Sequence, residues 1–160
     1  LIEKDELTNI FNRATGEKLV KDLIDKKIEF TLCVVDLDGL KYVNDNMGHK
    51  QGDDYIINIA NILKHHIRHD RDILFRYGGD EFVIAFIDSK SLDIGRRMLL
   101  INNFILKKSQ ELSIPMQISY GYQSSDGFND FESIFVEADK YMYQMKQIHK
   151  QLNPKIARIY

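Results

Sequence analysis

The sequence predicts an α+β sandwich, one antiparallel-rich sheet covered by helices. Two observations predict it. Short runs rich in β-branched and aromatic residues alternate with longer stretches that repeat apolar residues at helical spacing. The alternation is not strictly βαβ, because Ile73 to Tyr77 and Phe82 to Ile87 follow one another directly around Gly78-Gly79. Paired glycines tolerate positive φ, so these two strands read as a hairpin.

In chain order, Leu19, Val20, Leu23 and Ile24 put one apolar face on a helix over 16–27. Residues 29–38 form an apolar, β-branched run that ends in Asp36 and Asp38, which predicts a buried central strand tipped by two carboxylates. A short helix over 40–46 is expected to break at Gly48 and Gly52. A longer one over 53–67 is lined by Ile56, Ile59, Ala60, Leu63 and Ile67. The hairpin strands follow, then a helix over 92–112 and a strand over 116–122. Asn129, with Glu132 three residues on, predicts a capping box that opens a last helix running to about Lys150.

A chain of 160 residues with a net charge of −2 and 44% hydrophobic residues fits one domain, 1–160, with its own core. No basic excess marks a surface for nucleic acid, and no acidic run marks a disordered tail. The apolar runs are far shorter than a membrane span, so no membrane contact by this domain is expected. The lone Cys33 excludes an internal disulfide, suits core packing, and fits a reducing, cytoplasmic compartment. The start at Leu1 reads as a piece cut from a longer protein, whose other domains would supply any membrane tether.

Two acidic clusters carry chemistry: Asp36 with Asp38 at a strand end, and Asp80 with Glu81 at the hairpin tip. Adjacent strands lie about 5 Å apart, so pairing the hairpin beside the first strand brings Asp80 near Asp36. Carboxylates that close repel unless a cation lies between them, and hard oxygen ligands suit magnesium. Acids at turns are usually solvated or cap a backbone group, and that reading is preferred for Asp38 and Asp45. Asp36 ends a buried strand, and a tight turn needs glycine but not two acids after it. The residues alone therefore indicate a metal-nucleotide site.

Four blocks in order resemble the GGDEF family of diguanylate cyclases: Asp5 to Arg13, Val35 to Asp45 continuing into Gly48 to Asp53, Arg-Tyr-Gly-Gly-Asp-Glu-Phe at 76–82, and Ser119 to Gly121 with Ala138 to Lys146. The resemblance implies a nucleotide-cyclase or polymerase-palm-like sandwich with the signature on a β-hairpin. It implies a cyclase that joins two GTP into cyclic di-GMP, releasing two pyrophosphates. Asp36, Asp80, Glu81 and the Leu37 carbonyl would bind two Mg2+ (or Mn2+) per site, and Asp80 would take the proton of the attacking 3′-hydroxyl. Gly78 and Gly79 would clear room for the nucleotide. Asn44 and Asp53 would read guanine, His49 would touch substrate, and Lys41, Lys146 and Lys150 would approach the phosphates. Each GGDEF domain holds one GTP, so a head-to-tail homodimer is implied, brought together by an N-terminal sensor or dimerisation domain.

Taken alone, Asn44 and His49 fit turn formation, Asp53 a helix start, and Lys146 with Lys150 a solvated face. His65 and His69 have helical metal-pair spacing without a third ligand, which favours solvated histidines. The chain also departs from the family pattern. The inhibitory Arg-x-x-Asp is replaced by His69-Asp70-Arg71-Asp72, so feedback by product is expected to be weak or absent. The usual Gly-Arg-Asn after the closing lysine is missing, with Lys150 where arginine would stand. The competing readings are a GGDEF domain that holds GTP to regulate a neighbour, and a cyclase of adenine-containing dinucleotides, which Asp53 disfavours.

Overall fold

The computed structural model describes residues 1–153; positions 154–160 of the expected domain lie outside the described residues. The elements run α1 (Arg13–Asp25), β1 (Phe30–Leu37), α2 (Leu40–Met47), α3 (His49–His65), β2 (Ile73–Arg76), β3 (Glu81–Ile87), α4 (Ser91–Leu112), β4 (Ile118–Ser124) and α5 (Phe131–Leu152). The four strands form one sheet in the order β2-β3-β1-β4, with every pair antiparallel. Its faces are covered by helices, the α+β arrangement that the hairpin without a crossover predicts.

The strand β1 has neighbours on both sides, and all eight of its residues are buried. Side chains alternate across a strand. Cys33, Val35 and Leu37 therefore join the core with α2, α3 and α4, while Phe30, Leu32 and Val34 join the core with α1 and α5. Asp36 belongs to this second set, which aims it at α5. Cys33 is fully buried, and burial pushes its thiol up out of the reactive range.

Three expected details differ. First, Gly48 alone separates α2 from α3, at φ 91, and α3 runs from His49 straight through Gly52. Gly52 is instead a contact point: a Cβ there would lie 1.7 Å from Asn44 Oδ1, so its bare backbone lets α2 and α3 cross closely. Second, the cap of α5 is Asp130 and not Asn129, its side chain accepting the Ser133 N–H at 2.7 Å. Third, neither Gly78 nor Gly79 adopts a positive φ. The turn is held by a side chain: Arg76 donates to the carbonyls of Gly78 (3.2 Å) and Gly79 (2.8 Å). Among the described residues no helix is long and apolar enough to cross a membrane.

Candidate active site

The hairpin brings the signature against the end of β1. Glu81 pairs with Asp36 in the ladder, and the Leu37 N–H donates to the Asp80 carbonyl at 2.9 Å. Arg76, besides gripping the glycine carbonyls, forms an ion pair with Asp5 at 3.1 Å. Asp5 is itself fixed by the Thr8 N–H and hydroxyl. Burial pushes Asp5 up, but the bonds from Thr8 and the Arg76 cation outweigh it and hold its carboxyl low. The opening block of the chain thus shapes the turn from behind. In front, a Cβ on Gly79 would meet no atom within 4 Å, so the turn presents open backbone to whatever lies before it.

Asp36, Asp80 and Glu81 gather charge in a partly buried place. Burial first, then repulsion from Asp80, raises Asp36 from 3.8 to about 7, although Lys146 pulls the other way. Burial and the neighbouring Asp80 and Asp139 raise Glu81 as well. Asp36 Oδ1 is buried with no hydrogen-bond partner, while Oδ2 accepts from Lys146 Nζ at 2.5 Å. A buried, unsatisfied carboxylate oxygen among like charges is the environment that a hard divalent cation relieves. Among the described residues no three His, Cys, Asp or Glu side chains stand close enough to hold an ion as they are. The donor set fits a cation by its chemistry: Lys146 occupies Oδ2 of Asp36 and leaves Oδ1 open.

The other side of the site is α5. It lies close on β4 because Gly121 has no side chain: a Cβ there would sit 2.1 Å from the Ala138 carbonyl oxygen. This approach places Lys146 on Asp36, and His149 Nδ1 at 2.6 Å from Asp38 Oδ2.

A model of the family described as diguanylate cyclase, GGDEF domain, matches residues 2–151. The chain belongs to the GGDEF domain family. It is 29% identical over 143 residues to the probable diguanylate cyclase DgcI of Escherichia coli K12, covering 89% of this chain and 31% of that protein. It is 31% identical over 153 residues to the diguanylate cyclase DgcP of Pseudomonas aeruginosa, covering 89% and 22%. The chain therefore spans less than a third of either relative's length. A microbial GGDEF domain solved with cyclic di-GMP superposes with a TM-score of 0.77 at 25% identity, covering 89% of this chain and 92% of that one.

Within this GGDEF domain the remaining predicted residues lie on α2, α3 and α5. Asn44 on α2 is packed against Gly52, directly before Asp53 on α3, so the helix crossing puts the two expected guanine readers on neighbouring segments. Asp53 lies inside α3 and does not start it. Lys41 and His49 are exposed, on α2 and at the first position of α3, and Lys150 is half-buried on α5. Lys146 is buried and paired, unlike the solvated-face reading. His65 and His69 are both exposed, as the solvated reading expects: α3 ends at His65, whose Nδ1 meets the Asn61 carbonyl, and His69 lies beyond the helix.

Asp38 is the clearest correction. It neither faces solvent nor caps a backbone group; it is buried and bonded to Ser119 and His149. In the degenerate Arg-x-x-Asp segment His69 is exposed, while Asp72 is buried and committed to Arg68 and the Ile87 N–H. Sequence reasoning assigned no task to Arg76, Asp139 or His149. Helical register was the available signal for two of them. Asp139 is seven residues, and His149 three, from Lys146, so both share its side of α5.

Proposed function

We propose that this domain is a diguanylate cyclase acting on two GTP in a head-to-tail homodimer, and that the neighbouring domains of a longer cytoplasmic protein bring the two copies together. The observation that carries this reading is Asp36: buried, raised to about 7, and with an orphaned oxygen beside Asp80 and Glu81. Asp36, Asp80, Glu81 and the Leu37 carbonyl would hold Mg2+ (or Mn2+), two per site. Held there, such a cation would supply a lowered pKa to a 3′-hydroxyl and neutralise charge on the triphosphate.

The chain's own residues do the rest. Asp80 accepts the proton of the attacking 3′-hydroxyl. Lys146, with Lys150 and Lys41, brings positive charge to the phosphates as compact point cations. Gly78 and Gly79 leave the turn bare for close approach of the nucleotide. The Asp53 carboxylate accepts from guanine N1–H and N2–H2 while the Asn44 amide pairs with a donor and an acceptor edge. Adenine would leave that carboxylate unpaired, which selects GTP. His49, at the start of α3, completes the contact with substrate.

The test is a dimer forced by a fused coiled coil, incubated with GTP and magnesium and assayed for cyclic di-GMP. The expected result is cyclic di-GMP, with Asp80→Ala lowering turnover by about 10²–10⁴-fold. GTP binding without any product would instead identify a regulatory module, and full turnover by the Asp80→Ala dimer would remove Asp80 from the chemistry.

A further inference from the structure

Asp36 on β1 and Asp38 just past its end both meet α5, and α5 answers each with a base. Asp36 accepts from Lys146, and Asp38 from His149. Two residues of strand advance about 6.6 Å and three of helix about 4.5 Å, so the pairs form adjacent rungs between β1 and α5. The rungs differ in completeness. Asp38 has both oxygens occupied: Ser119 Oγ donates to Oδ1 at 2.6 Å and His149 Nδ1 donates to Oδ2 at 2.6 Å. Ser119 Oγ also lies 3.0 Å from His149 Nδ1, closing a triangle of β1, β4 and α5. Asp38 and Ser119 are buried, and the His149 side chain is 14% exposed. The Asp36 rung has one oxygen bare and one bond to break.

We propose that His149 is a positioning residue for phosphate binding: with Asp38 and Ser119 it pins the last turns of α5 to the ends of β1 and β4. Lys146 and Lys150 then stay at the site when Lys146 leaves Asp36 for the triphosphate. The inference rests on the cyclase reading, because that reading makes Lys146 change partners. Asp38 is held by a bond on each oxygen and Asp36 by a bond on one, so the second rung persists where the first opens. His149 sits three residues from Lys146 and next to Lys150, so a movement of its turn carries both ammonium groups with it.

The experiment measures binding of 3′-deoxy-GTP, which lacks the attacking hydroxyl, with magnesium by calorimetry. His149→Ala is expected to weaken binding about 5- to 10-fold by freeing the turn and stranding Asp38. His149→Asn, whose amide N–H can replace Nδ1–H toward Asp38, is expected within about twofold of the parent. With GTP in the forced dimer, KM rises in step with the binding loss while kcat at saturation changes by less than about twofold, the mark of lost uniform binding. Parent-like binding by His149→Ala, or His149→Asn no better than alanine, overturns the inference. If His149→Ala does not fold, Ser119→Ala, which removes one bond of the triangle, is expected to weaken binding about two- to fivefold, and unchanged binding overturns it as well. A parent that binds 3′-deoxy-GTP but makes no cyclic di-GMP from GTP overturns the cyclase reading alone. A parent that does not bind it overturns both.

Discussion

Asp72 lies at one end of the β2–β3 hairpin, and Asp36 faces the other end from β1. Both are buried acids, yet their surroundings are opposite. Asp72 accepts from the Arg68 N–H, Nε and Nη2 and from the Ile87 N–H, all within 3.1 Å, with Arg97 4.0 Å away. Asp36, among the described residues, accepts from Lys146 alone, keeps one oxygen orphaned, and is pushed toward neutrality by burial and then by Asp80. One hairpin therefore joins a carboxylate saturated by the fold to one that the fold leaves wanting. The saturated acid ties the loop after α3, the end of β3 and the entry to β2 together, and the unsaturated one is poised to accept a ligand.

The contrast is broken or sharpened most strongly by neutralising each acid in turn. Asp36→Asn should lower cyclic di-GMP formation by at least about 10³-fold, because it removes a donor from the proposed cation site. The variant should still unfold cooperatively. Asp72→Asn should do the reverse: it removes the charge that Arg68, itself about a third exposed, is bonded to, and should cost about 1–3 kcal/mol of stability in a urea titration. At a temperature where it remains folded, its turnover should match the parent's. Its sensitivity to added cyclic di-GMP should also match, because Asp72 is already committed to Arg68. Loss of product inhibition on mutating Asp72 would place a ligand there after all.

Next in size is the glycine at the crossing of α2 and α3. Gly52→Ala puts a Cβ where Asn44 Oδ1 now lies, 1.7 Å away, and Asn44 is the group able to swing aside. Alanine favours a helix interior by about 1 kcal/mol over glycine, which offsets the crowding, so the melting temperature should barely move. GTP binding should nonetheless weaken about tenfold through loss of the proposed Asn44 contact, with selectivity over ATP reduced. A large fall in melting temperature with unchanged GTP affinity would make Gly52 a packing residue only.

How much of this was legible in the sequence depended on range. The helices and strands follow from local periodicity, and the carboxylates at the end of β1 and at the hairpin tip from the order of the motifs. Asp38 was misread because its partner His149 is 111 residues away, and only the register of α5 on β4, set by Gly121, brings them together. The glycines of the signature suggested positive φ, but composition does not reveal that Arg76 would reach back and hold both carbonyls. The α5 cap fell between adjacent Asn129 and Asp130, two equally suited side chains that only backbone geometry separates.

The smallest effect concerns protons. Asp36 has an ordinary value of 3.8 and stands at about 7 in the fold, raised by burial first and then by Asp80. A raised carboxyl favours the folded state while it is protonated, so this contribution is full below about pH 4 and is lost as pH rises through 7. A cation needs the carboxylate and competes with that proton, so its binding should strengthen over the same interval. Going from pH 6 to pH 8, the apparent affinity for Mn2+ should rise about tenfold, and the melting-temperature gain from added magnesium should grow with it. Asp36→Asn should flatten the pH profile, whereas an unaltered slope in that variant would assign the titration to Glu81 or Asp139, whose carboxyls are raised as well.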